Sequence, residues 1–165
     1  MKQIFLDILQ QLSTVPALKH IDKNWNQLNN EQPPVKWPCA LIDIANADYS
    51  QVAQLHQIAE ADVEITIADL RFTNTSLRNP RHEDGFDIFT LLDDVHHALQ
   101  GFRPTGAQQL VRTNLQKVEN GYNYEIYKMT YRTSWKVEKL TDTTSAHVEP
   151  VIEDGFIDKR FNTVQ

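Results

Sequence analysis

The chain has 165 residues and a formal net charge of −6, and its 41% hydrophobic content is ordinary for a globular protein. This length predicts one domain with a proper core, and no apolar run reaches the roughly 18 residues that a transmembrane helix needs. The negative net charge and the absence of a cluster of Lys and Arg in the sequence argue against direct binding of nucleic acid, because phosphate binding needs clustered cations. The first residues lack the features of a signal peptide, so cytoplasmic synthesis is the default expectation.

The first predicted element is an amphipathic helix over residues 1–13. Its apolar residues include Phe5, Ile8 and Leu12, which recur at helical spacing with polar residues around the rest of the cylinder. Pro16 follows closely, and the residue before a proline avoids the α region. The helix is therefore expected to end before this proline.

Three strand-like segments follow. A short strand is predicted within residues 20–25, followed by a loop with three prolines. The sequence CALIDI at 39–44 is a nearly continuous apolar run, which indicates a central strand covered on both faces. Residues 45–56 are polar, and their pattern does not predict a particular secondary structure. The next strand is predicted at 61–72, where the apolar phase changes and favours a bulge near 68–69.

A second helix is predicted over residues 83–100. Its apolar residues recur at helical spacing: Ile88, Leu91, Leu92, Val95 and Leu99. Gly101 suits the position just after the helix end. Phe86 and Phe89 lie off this stripe, about 160° and 100° from Ile88 around the helix. A large aromatic pair on the outside of a helix is usually covered by another segment of the chain or by a partner protein. The chain's own C-terminal arm, a neighbouring subunit and simple exposure all remain open at this point.

A long β-hairpin is predicted over residues 109–137, with its turn at Asn120-Gly121. In its second arm the residues expected to face the core are Tyr127, Met129, Tyr131, Thr133, Trp135 and Val137. The opposite face carries Lys128, Arg132 and Lys136. A three-residue loop at 120–122 would pair Leu115 with Tyr127, Thr113 with Met129 and Val111 with Tyr131. It also predicts a bulged loop with Gly121 near the left-handed region.

After residue 140 the chain becomes a polar arm with sparse apolar residues. Phe156, Ile157 and Phe161 are its candidate contacts with the domain or with another subunit. Such an arm would fold on binding, add a strand to another sheet or stay disordered. The predicted class is α+β, with a mixed, mostly antiparallel β-sheet and two helices packed on one face. A single domain at 1–140 then precedes an extended C-terminal arm at 141–165.

Three carboxylates on or beside the predicted strands could in principle hold Mg²⁺ in a hydrolase: Asp43, Glu64 and Asp69. A nuclease-like core would require the pattern Glu-x-Lys, but Glu64 is followed by Ile-Thr. The lysine cation that would stabilise an attacking water is therefore missing from this pattern. Surface or edge carboxylates are the favoured interpretation.

The remaining chemical candidates are histidines and the single cysteine. His82 and the His96-His97 pair lie about 21 Å apart on one predicted helix, too far to share an ion. Cys39 stands in an apolar run, where a thiol is usually a small hydrophobe. No nucleophile elbow or phosphate-binding glycine motif is found. We therefore predict a non-enzymatic protein without catalytic residues, metal or cofactor.

The order and local pattern of residues 1–138 are distinctive. An N-terminal helix ends near Leu12, and a proline-rich loop leads into PCALIDI. The segments ADVEITIADLRF, FDIFTLLDDVHHALQGF and, finally, YKMTYRTSWKV follow. In these features the chain resembles the tail terminator, or tail-completion, proteins of phages and prophages. The arm at 141–165 is longer than expected for that family.

The resemblance implies a small subunit that forms a hexameric ring in the virion tail, assembled in the cytoplasm of the bacterial host. Such a ring caps the completed tail tube, contacts the head connector and lets DNA pass without specific binding. No membrane is involved, and no motif residue is implied as a functional site. Two alternatives stay open: a head–tail connector or secretion-system component of tail ancestry, and a small metal-dependent hydrolase using the strand carboxylates.

Overall fold

The computed structural model describes residues 1–53, 56–70, 75–121 and 123–138. The elements in chain order are α1 (Lys2–Leu12), β1 (His20–Lys23), a 3-10 helix (Gln27–Asn29), β2 (Cys39–Ala53), β3 (His56–Asp69), a second 3-10 helix (His82–Phe86), α2 (Asp87–Leu99), β4 (Val111–Val118) and β5 (Glu125–Glu138). The strands form one sheet in the order β1-β2-β3-β5-β4. The β1–β2 pair is parallel, and the other three neighbouring pairs are antiparallel.

Both helices pack on one face of this sheet. The buried side chains of α1 are Ile4, Ile8 and Leu12, and those of α2 are the five residues of its predicted stripe. All of them join the inward residues of β3 and β5 in one hydrophobic cluster. The predicted alternation of β5 is confirmed, since its core-facing residues from Tyr127 to Trp135 are buried. The α+β class with two helices on one face is therefore confirmed.

The other sheet face carries a smaller core near the start of β2. Its buried members are Leu28, Cys39, Leu41, Ala68, Tyr124 and Ile126. The Tyr124 hydroxyl donates a hydrogen bond to the Leu28 carbonyl, which joins the two loops that cover this face. Each residue from Cys39 to Ile42 has 0% exposure. The predicted central strand covered on both faces is thus confirmed, and the double cover explains its continuous apolar run.

Of the ambiguous residues 45–56, those at 45–53 belong to β2 and residue 56 to β3, which pair as a long antiparallel hairpin. The pairing runs from Cys39 opposite Ala68 to Ala53 opposite His56, with a register shift between Ile44 and Asn46. The bulge predicted near residues 68–69 is wrong, because β3 pairs in regular register with β5 as far as Asp69 and ends there. The change of apolar phase reflects the end of the strand.

The register and turn predicted for the β4–β5 hairpin are also wrong. Leu115 pairs with Met129, and a register shift between Arg112 and Asn114 places Arg112, instead of Val111, opposite Tyr131. Gly121 does not have positive φ. The strands end at Val118 and begin again at Glu125, so the connection is wider than the predicted loop. The reason is tertiary, since this loop supplies the Tyr124 ring to the second core.

The end of α2 follows its prediction. Gly101 has a φ of 77°, in the left-handed region where glycine meets no steric penalty. The helix therefore stops as expected and the chain turns toward β4.

Candidate functional site

An aromatic patch is the most exposed apolar feature at the start of α2. We define it by Phe86, Phe89 and Tyr127. Phe86 is 47% exposed and Phe89 is 48% exposed. Their rings stack with centroids 6.3 Å apart, and Phe89 meets the buried Tyr127 ring edge-on at 5.8 Å. The α2 stripe occupies the sheet side of the helix, and the two phenylalanines, which were predicted to lie off the stripe, are each about half exposed.

Charged side chains surround this patch. Glu83 and Asp84 are exposed in the 3-10 helix that leads into α2. On β4, Lys117 lies 5.7 Å from the centre of the Tyr127 ring and pairs with Glu125 at 2.8 Å. The hydrogen bond to Glu125 raises the pKa of Lys117. An apolar centre with a polar rim is the usual anatomy of a protein–protein contact.

The candidate contacts of the C-terminal arm lie outside the described residues. These are Phe156, Ile157 and Phe161. Their contact with the aromatic patch or with another subunit therefore stays a prediction.

A second exposed apolar surface lies on the β2–β3 hairpin, and the sequence did not reveal it. Tyr49 is 50% exposed and Val52 is 63% exposed. Both belong to the stretch of β2 that was ambiguous because its polar residues hide the alternation. This hairpin surface lies at the opposite end of the β3–β5 ladder from Tyr127.

The sheet face opposite the helices carries paired charges. Lys128 contacts Glu64 at 2.7 Å, and Arg132 contacts Asp62 at 3.1 Å. The hydrogen bond from Arg132 to Asp62 raises the pKa of this arginine. Two of the three cations predicted on this face, Lys128 and Arg132, are therefore paired with carboxylates of β3, which weakens their attraction for phosphate.

The three strand carboxylates do not converge. Asp43 and Glu64 face each other on β2 and β3. Asp69 is five residues beyond Glu64 on a strand without a register shift there, so it projects to the other face and is 4% exposed. Among the described residues, no three His, Cys, Asp or Glu side chains are grouped to hold a metal ion.

The histidine candidates are similarly dispersed. His82 Nδ1 lies 2.9 Å from the Asn79 carbonyl oxygen. His96 Nδ1 lies 3.3 Å from the Tyr131 hydroxyl, and its ring centre is 6.2 Å from that of His97. Burial lowers the pKa of His96, and the positive charge of nearby Arg112 lowers it further. Both effects favour the neutral form of His96 beside a buried tyrosine.

Cys39 behaves as part of the core. It is completely buried, and burial raises the pKa of its thiol to about 12. Since the thiolate is the reactive form, this cysteine is a poor nucleophile.

In the described part of the chain, none of the helices combines the length and the apolar content that crossing a membrane requires.

Comparisons with known proteins give distant structural likenesses alone. No protein-family model matches the chain, and no curated protein matches it. Among solved structures, the chain is similar to a chain of the "Virion of native gene transfer agent (GTA) particle", with 12% identity and a TM-score of 0.46. The match covers 80% of this chain and 92% of that one. At this identity and TM-score, the similarity assigns no function to this chain.

Proposed function

We propose that this chain is a non-enzymatic structural protein of a virion, a ring-forming tail terminator whose copies pack through the aromatic patch. The observation that carries the proposal is the pair of half-exposed, stacked rings of Phe86 and Phe89. Aromatic side chains are enriched at protein interfaces and depleted on free surfaces. The resemblance of residues 1–138 to tail terminators suggests that this contact would be made between neighbouring copies in a ring.

The position of the apolar surfaces favours a head-to-tail contact. Tyr127 pairs with Ile67 at one end of the β3–β5 ladder, and His56 lies at the other end. At roughly 3.3 Å per residue these ends are about 36 Å apart. The hairpin surface with Tyr49 and Val52 therefore lies far from the aromatic patch. A contact between two different surfaces of neighbouring copies generates a ring when the rotation closes.

The charge distribution suits a ring through which DNA passes. The net charge is −6, and the sheet cations Lys128 and Arg132 are paired with carboxylates. Such a surface releases few counterions from a phosphate backbone, so it would not hold DNA in place. The partners of the ring are then the tail tube protein on one side and the head connector on the other.

The proposal is tested by light scattering and negative-stain microscopy of the purified full-length chain, alone and with tail tube protein. We expect closed rings, with six copies as the expected number, and tubes that stop growing once the chain is added. A strict monomer at every concentration, with and without tube protein, would overturn the proposal.

Two further measurements, binding to the head connector and thermal melting with metal ions, separate the two alternatives. Rings that bind the head connector but leave tube growth unchanged would favour the head–tail connector. A rise in melting temperature with Mg²⁺ or Mn²⁺ would favour the hydrolase, because a ligand that binds the native state stabilises it.

A further inference from the structure

A second apolar recess lies between the start of α1 and β2, just beyond the end of β1. We call it the N-terminal groove. Its volume is about 450 Å³, and its apolar walls are Met1, Phe5, Leu6 and Ile44. Leu6 is 44% exposed and Met1 is 58% exposed. The groove opens at Lys23, where β1 ends and β2 continues without it.

The rim of this groove is basic, although the protein is acidic. Lys2 and Lys23 both line it. Asp43 is the acidic residue among the lining side chains, and its carboxylate accepts a hydrogen bond from the Ile44 backbone N–H at 2.9 Å. This bond holds the carboxylate against its own strand, and the lining as a whole carries two positive charges and one negative charge, a balance that favours an anionic partner.

The chain itself contains a segment of matching chemistry. Residues 149–158 read EPVIEDGFID, so four apolar side chains stand among four carboxylates. We propose that this segment docks into the N-terminal groove of its own chain. Phe156 and Ile157 contact the apolar walls, and Glu153 and Asp154 lie beside the lysines of the rim.

The length of the chain permits this docking. β5 ends at Glu138, which pairs with His56, and His56 pairs with Ala53. From Ala53 back to Ile44 is about 30 Å along β2, and two strand spacings add about 10 Å sideways. Together these make a straight distance of about 32 Å, and residues 139–148, which precede the segment, span up to about 35 Å when extended. Because the segment is tethered, its effective concentration at the groove is in the millimolar range.

Charge distinguishes the groove from the aromatic patch as the docking site. Glu83 and Asp84 lie beside the patch and would repel the carboxylates of residues 149–158. Lys2 and Lys23 attract them at the groove. The docking does not depend on the proposed ring, because it lies within one chain.

The test is a disulfide formed in the full-length protein between Leu6→Cys and Gly155→Cys. These substitutions leave Phe156 and Ile157 in place, and the native Cys39 is buried and does not compete. The matched control joins Gly155→Cys to Leu115→Cys, because Leu115 on β4 is 46% exposed, close to the 44% of Leu6. Under mild oxidation we expect the groove pair to close within one chain about 10²-fold faster than the control pair. Both pairs are tethered in one chain, so the difference comes from docking, which holds residue 155 beside residue 6.

A second measurement separates docking from accidental collision. Lys2→Glu with Lys23→Glu should slow closure, and adding Glu153→Lys with Asp154→Lys should restore it. Both lysines line the rim, so circular dichroism is expected to show an unchanged fold. Equal closure rates for the groove and control pairs would overturn the proposal. So would a disulfide that forms only between two chains, or a rate that ignores the charge reversal.

Discussion

The aromatic patch allows a quantitative test of association. The perturbation is the double substitution Phe86→Ser with Phe89→Ser. Full burial of a phenylalanine is worth about 1.5–3 kcal/mol. Since the two side chains are 47% and 48% exposed, roughly half of that remains to be gained from a partner. Covering both rings would therefore contribute about 2 kcal/mol to each contact, or about 30-fold in the association constant.

The same substitution also affects the folded monomer. It removes the buried halves of both rings and the edge-on contact of Phe89 with Tyr127 at 5.8 Å. Such aromatic pairs are worth about 0.5–1.5 kcal/mol beyond their area, so we expect a total loss of stability of about 2–4.5 kcal/mol. Stability must therefore be measured beside association, by thermal melting followed with circular dichroism.

The assay is sedimentation or light scattering over a dilution series, with Leu115→Ser as the matched control. Leu115 is 46% exposed on β4, so this change removes a comparable exposed side chain away from α2. We expect the double variant to dissociate at concentrations about 30-fold higher than the control. A double variant that melts cooperatively and still associates like the wild type would refute the aromatic patch as the contact between copies.

Three further predictions concern stability. Gly101→Ala should cost about 1–2 kcal/mol in urea unfolding, because alanine is strained at a φ of 77° although nothing lies within 4 Å; Gly121→Ala, at a residue without positive φ, is the control and should be nearly neutral. Burial raises the pKa of Cys39 from 9.0 and that of Tyr131 from 10.0, each to about 12. The native state then holds these protons more tightly than the unfolded chain, so the contribution of these two groups to the free energy of unfolding should be constant below pH 9 and fall between pH 9 and 12. A urea midpoint that is flat across that window would contradict this reasoning. Tyr131→Phe removes the hydroxyl that lies 3.3 Å from His96, and should cost about 1 kcal/mol in the same assay; an unchanged urea midpoint would show that this contact adds nothing.

Periodicity was sufficient to predict both helices and the buried face of β5. A helix and a strand each bury one face at a fixed repeat, so the stripe of α2 and the alternation from Tyr127 to Trp135 can be identified without knowing their partners. The same argument identified Phe86 and Phe89 as residues off the stripe, and both are half exposed. The apolar run of β2 likewise indicated a strand covered on both faces.

Contacts distant in sequence decided the rest. The β4–β5 register depends on a loop that brings Tyr124 to Leu28, and no pattern within the hairpin contains that information. The polar half of β2 remains a strand because it pairs with β3, and β3 is in turn paired with β5 along its other edge. The N-terminal groove exists because β1 ends beside α1. The sequence by itself determined which residues are buried when a helix or strand packs, since burial depends on the chemistry and spacing of the side chains. Only the tertiary structure decided the N-terminal groove and the exposed part of the β2–β3 hairpin, because the exposure of these residues depends on where each neighbouring element ends.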